Sequence, residues 1–144
     1  MGAENLQLFP KIDTKKTKMN ARKVLAQYRK WERITGKSMI DIRSPQLSDM
    51  PKTLGVSVNK TQDGIVERVY AEMQRDAILR ALERLSFVSR QILFMTYVER
   101  EKYSVWEIAK ELGYSEPHVK RLRHIALLEF AEAYKNGQLL STIN

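Results

Sequence analysis

The sequence predicts an all-α protein: a helical bundle with a carboxy-terminal helix-turn-helix and a basic amino-terminal helix. Three observations carry that prediction. Apolar residues recur at three- to five-residue steps, in Val24, Leu25, Tyr28, Trp31 and Ile34 and again in Ile65, Val69, Met73, Ile78, Leu82 and Leu85, which is how one face of a helix repeats. Residues 104–126, SVWEIAKELGYSEPHVKRLRHIA, read as two short helices joined by a tight turn. Within them Ala109, Gly113 and Val119 stand four and then six residues apart: a small side chain lets the second helix approach, and a branched one fills the angle, as a helix-turn-helix requires.

Taken in order, residues 1–10 have too few periodic apolar residues to form a helix. A helix follows over 14–34, stopped by Gly36. The segment 11–37 around it holds ten Lys or Arg against two acids. Such a basic amphipathic helix suits DNA, an anionic membrane or an acidic protein surface. Tyr28 and Trp31 are read as packing residues, with base stacking as the alternative. Residues 38–60 hold two of the four prolines and no sustained period, so they read as a linker partly ordered by Met39, Ile40 and Ile42. The next helix, 61–85, sets mixed charges opposite its apolar stripe, and its length makes it the candidate for pairing with a second copy. Ser89 is the expected cap of a central helix, RQILFMTYVER, which is apolar on most sides. The division expected is a basic amino-terminal arm, 1–37, a linker, 38–60, and a helix-turn-helix domain, 61–144.

The motif's first helix ends at Gly113, a residue that adopts the left-handed backbone of an abrupt stop. Its second helix opens on a Ser115 cap, with Glu116 and Pro117 in the first turn. With Ile108, Leu112, Val119 and Leu122 set inward, Ser115, Glu116, Pro117, His118, Lys120, Arg121 and His124 face out, and Arg123 falls at the flank. From His118 to His124 there are three permanent positive charges and no acid, as befits a helix inserted into the DNA major groove. A solvated basic face is the plainer alternative. The helix continues through IALLEFAEAYKNG, with Ile125, Leu128 and Phe130 or Ala131 returning to the core, and residues 138–144 are expected to fray.

Composition bounds the partners. A chain of 144 residues with a hydrophobic share of 43% is long enough for one domain with an arm. Its net charge is +8, and 13 Lys or Arg against 5 acids in residues 1–60 hold the whole excess, since residues 61–144 hold 12 of each. Two positive regions on an otherwise neutral body suggest a polyanion. No apolar run is long enough to cross a bilayer and no signal pattern opens the chain, so a cytoplasmic protein without membrane contact is expected. The absence of cysteine excludes disulfides and thiol catalysis.

Residues for an enzyme or a metal site are not found in the pattern. His118 and His124 lie six apart with no carboxylate at ligand spacing. Glu99 and Glu101 flank a turn as solvated charges, and no glycine-rich phosphate loop is present. No catalytic residue, metal or cofactor is expected.

The stretch ALERLSFVSRQILFMTYVEREKYSVWEIAKELGYSEPHVKRLRHIALLEF resembles the promoter-recognising fourth region of bacterial primary sigma factors. More broadly, from LFPKIDTKKTKMNARKVLAQYRKWERITGKSMIDIRSP through SDMPK to the motif, the chain resembles the ArpU-type phage transcriptional regulators of late packaging and lysis genes. That resemblance implies a DNA-binding activator of late phage transcription, with double-stranded DNA as partner and host RNA polymerase as a second candidate partner. A cytoplasmic, nucleoid-associated place in the host cell is expected of such a protein, and the long helix 61–85 makes a homodimer a candidate assembly. Carried over by position, the base readers fall at Glu116, Lys120, Arg121 and His124. Pro117 and His118 depart from the charged or amide side chains common in sigma factors, so the target sequence does not transfer. Glu116 is suited to accept from a cytosine amino group and Arg121 to grip a guanine edge, each contributing about 1–3 kcal/mol of discrimination. Lys15, Lys16, Lys18, Arg22 and Lys23 are the expected auxiliary phosphate contacts. Two other functions fit the sequence: a small-terminase-like packaging protein that assembles as a ring, and a sigma-like module that acts mainly by binding polymerase.

Overall fold

The computed structural model describes residues 11–35 and 58–143, in which the ordered elements are helical. The expected helix over 14–34 is two: α1, Thr14–Leu25, and α2, Tyr28–Thr35. Asp13 caps α1 by accepting from the Lys16 N–H at 3.1 Å. At the break the Gln27 N–H reaches back only to Val24 O, at 3.1 Å. The physical reason is that one apolar stripe serves two neighbours. Ala21 and Leu25 are buried with α1 packed on the last helix, whereas α2 packs on the long helix that follows, and a straight rod cannot reach both.

That long helix, α3, spans Val58–Glu83. The linker expected over 38–60 lies outside the described residues up to 57, and its last three positions already belong to α3. Ile78, Leu82 and, just beyond, Leu85 are buried as expected. Ile65, Val69 and Met73 are not, being 55%, 47% and 60% exposed. α2, only eight residues long, meets α3 through the Trp31 ring edge-on to Tyr70 and through Arg75, which donates to Thr35 Oγ1 at 2.9 Å. Among the described residues nothing covers the stripe before that point.

Helix α4 is Phe87–Leu93 and is preceded by Ser86 rather than Ser89, which is buried inside it. Ser86 donates to Glu129 at 3.2 Å instead of capping its own helix. The chain then widens into a π-type turn, Phe94–Val98, closed by Glu99 N–H on Phe94 O at 2.8 Å. Thr96 bonds back to Ile92 O at 2.7 Å, a contact that competes with the regular ladder. Arg29 of α2 donates to Thr96 O and Glu99 O, at 3.2 and 2.9 Å, satisfying carbonyls at the widened end.

The motif helices are α5, Val105–Leu112, and α6, Glu116–Ala133. Two clusters hold the fold together. The larger joins α1, α2, α3 and α6 through Leu25, Tyr28, Ile78, Leu82, Leu127 and Phe130. The smaller lies under the motif, with Ile92, Met95, Ile108, Ala109 and Val119. The inward register of α6 differs from expectation: Ile125 is 50% exposed and Leu128 half-buried, while Ala126, Leu127, Phe130 and Ala131 are buried. Val119 sets this phase, because at about 3.6 residues per turn the positions two and three turns on are 126 and 130.

After a tight turn at Tyr134–Gly137, with left-handed backbone at Lys135, Asn136 and Gly137, the tail folds back rather than fraying. Ser141 O accepts from Asp13 N–H at 2.7 Å, Lys11 O accepts from Ile143 N–H at 2.8 Å, and Ile12 and Thr142 form an isolated antiparallel bridge. Among the described residues no helix is long and apolar enough to cross a membrane.

Candidate nucleic-acid interface

The two motif helices are held by local chemistry that the sequence specifies. Ser104 accepts from Glu107 N–H at 3.1 Å while the Glu107 carboxylate accepts from Ser104 N–H at 2.7 Å, a reciprocal capping box that starts α5. α5 stops at Gly113, whose φ of 76° is left-handed, and Ala109 O accepts from both Gly113 N–H and Tyr114 N–H at 2.9 Å. Ser115 then caps α6 by accepting from His118 N–H at 3.2 Å, and Pro117 fills the first turn. With Ala109 and Val119 buried against each other's helices, the opposite side of α6 faces solvent.

On that side the structure brings together most of the expected residues. Ser115, Glu116, Pro117, Lys120, Arg121 and His124 are exposed, and His118 is half-buried. Pro117, Lys120, Arg121 and His124 follow at three- and four-residue steps and form one outward stripe. His118 is steadied by its neighbours: its ring meets Tyr114 edge-on at 4.9 Å, and its Nδ1 lies 3.3 Å from an Arg121 guanidinium nitrogen. Arg123, expected at the flank, is half-buried. Two exposed aromatic side chains beside the motif, Trp106 under the Lys110 ammonium at 5.0 Å and Tyr114 in the turn, are not signalled by the apolar periodicity because they lie off the buried face.

The five basic residues of the first helix divide. α1 packs along α6, which brings Lys18 Nζ to 3.3 Å from His124 Nδ1. Lys15, Lys18 and Arg22 run at three- and four-residue steps along one flank of α1. Lys16 and Lys23 stand opposite the buried row Thr17, Ala21 and Leu25 and are exposed.

The electrostatics follow this packing. Partial burial, and then the nearby Lys18, Arg22 and Arg123, hold His124 below the ordinary histidine range. Burial pushes the Tyr97 phenol up, against the pull of Arg123 and Arg22. Among the described residues Arg75 pairs with Asp76, and these cations have no carboxylate at ion-pair distance. No three His, Asp or Glu side chains among the described residues converge as metal ligands.

Residues 81–129, from the end of α3 through most of α6, match the family described as Sigma-70, region 4. Two relatives named as ArpU proteins of autolysin regulation align along almost their whole length. One, from Enterococcus hirae, is 45% identical over 136 residues, covering 94% of this chain and 98% of the relative. The other, from Streptococcus phage O1205, is 33% identical over 135 residues, covering 92% and 97%. No solved structure matches the chain. With relatives this similar over nearly its full length, and with helices that build a sigma-like helix-turn-helix, the chain belongs to the ArpU family of regulatory proteins.

Proposed function

We propose that the protein is a sequence-specific DNA-binding transcriptional regulator of phage late genes, of the packaging and lysis class, reading the major groove with the α6 side chains Glu116, Lys120, Arg121 and His124. The observation that carries this reading is the outward stripe of α6. Lys120 and Arg121 are exposed on it, beside the buried Val119 and near the start of a helix capped by Ser115. Glu116, at the tip, can accept from cytosine, and Arg121 can bond bidentately to guanine. Control of lysis is favoured by the relatives' names, which refer to autolysin regulation, and by the phage origin of one of them.

The test is mass by light scattering, followed on the same sample by selection from a random DNA pool at moderate salt. A monomer or homodimer that enriches one motif, and loses that preference when Lys120 and Arg121 are replaced by alanine, supports the regulator. For Arg121→Ala the loss of discrimination should be about 1–3 kcal/mol at one base pair. A large ring would move the function to packaging. A small species that enriches nothing, and captures host RNA polymerase, would make polymerase the primary partner.

A further inference from the structure

We propose that Lys18 and Arg22 of α1, with Arg123 and His124 of α6, form one composite phosphate site that seats a DNA backbone phosphate at the edge of the reading face. The inference rests on the DNA-binding reading of α6 and deepens it. It changes the role of the basic first helix from a loose source of positive charge to half of a built site, and it moves His124 from base reading to the phosphate at the groove's edge, leaving Glu116, Lys120 and Arg121 as the base readers.

The geometry is unusual for residues with no common element. Lys18 and His124 are 106 positions apart, yet their side-chain nitrogens lie 3.3 Å apart. An ammonium has donors only, so this contact requires Nδ1 as an acceptor and therefore a neutral imidazole. The packing of α1 along α6 puts Lys18 and Arg22, one turn apart on α1, near enough to His124 for their charges to act on it, as does that of Arg123 beside it on α6; Lys120 and Arg121 are a turn or less away, and Arg123 and Arg22 act on the Tyr97 phenol as well. Among the described residues no carboxylate lies at ion-pair distance from this set, which leaves a grouping of cations open to an external anion.

Its position selects the anion. His124 lies one turn beyond Lys120 on the outward stripe, and phosphates border the groove that a reading helix enters. The site is also held rigidly, since Thr17, next to Lys18, and Asn20 are bonded to the returning tail at Ser141 and Leu139. A seated phosphate supplies the negative charge that the cluster lacks. Lys18 then donates to phosphate oxygen instead of to Nδ1, the imidazole takes a proton from solvent, and its N–H donates as well. Each bound protein chain therefore takes up one proton in the pH interval between the free and bound His124 values, and affinity rises as pH falls through that interval.

The test uses the full chain with a short random-sequence duplex and with the target duplex enriched by the pool selection, each titrated with salt and followed by NMR of the two histidine rings. Lys18→Ala and Arg22→Ala should each lower the salt slope by about 0.9 and weaken binding several-fold alike on target and random DNA, with Lys18→Arg restoring the slope. Lys30→Ala, on α2, should change neither. The His124 titration should move up on adding duplex, and also in free Lys18→Ala protein. If the duplex binds and depends on Lys120 and Arg121, but the α1 variants alter neither slope nor titration, the composite site is wrong and the reading helix stands. If no duplex binds at any salt, both fail.

Discussion

Thr17 Oγ1 accepts from the Ser141 N–H at 2.9 Å, joining two residues 124 positions apart. Thr17 is fully buried, and the same tail strand bonds Asp13 through Ser141 O at 2.7 Å. The carboxy terminus is therefore a clasp on α1. Thr17→Val keeps the shape and removes the acceptor, so it should destabilise the fold by about 1–3 kcal/mol. Thr17→Ser should recover most of that, and thermal melts of the pair check it.

The turn of the motif depends on backbone conformation more than on space. A Cβ at Gly113 would meet nothing within 4 Å, yet φ is +76°. Gly113→Ala should therefore cost about 1–2 kcal/mol from the left-handed backbone alone. Ser104→Ala, which breaks the capping box, should cost about 1 kcal/mol. Denaturant unfolding gives both values.

The observed register of α6 can be tested directly. Leu127 is fully buried and Ile125 is half exposed. Leu127→Ala should destabilise by about 2–5 kcal/mol. Ile125→Ala should stay within about 0.5 kcal/mol of the parent, as a surface change does. The opposite order would restore the register suggested by the apolar pattern.

His124 should give stability a pH dependence of known sign. Desolvation of the part of its ring that α1 covers, and three nearby cations, lower its value in the fold from the ordinary 6.5 although the residue is largely exposed. Below about pH 6.5 the unfolded chain thus binds more protons than the folded one, and stability falls as pH falls, until the folded value is passed. His124→Gln should remove that component, and Lys18→Ala should narrow its pH window. Unfolding midpoints across that acid range provide the check.

Much of this was legible along the chain because it depends on neighbours in sequence. The Ser115 cap, the Gly113 stop, the Ala109 and Val119 spacing and the exposed Lys120 and Arg121 are all set within one or two turns of helix. The errors occur where a residue answers to a distant partner. Periodicity assigned Ile65, Val69 and Met73 to the core because it records that a face is apolar, not whether another element reaches it. It treated 14–34 as one rod because the apolar stripe is continuous, while α6 and α3 lie in different directions. It placed Ile125 inward by composition, although Val119 had already set the phase of the helix.

The sequence by itself determined an all-α chain, its helix-turn-helix and the sign of its charge, since caps, turns and apolar repeats act over a few residues. Only the tertiary structure decided that α1 lies along α6 and that Lys18 meets His124. That meeting depends on a break at Ala26–Gln27, a buried Thr17 and a tail that turns back at Gly137. These features gain their meaning from contacts about forty to more than a hundred positions away in sequence, which no local pattern records.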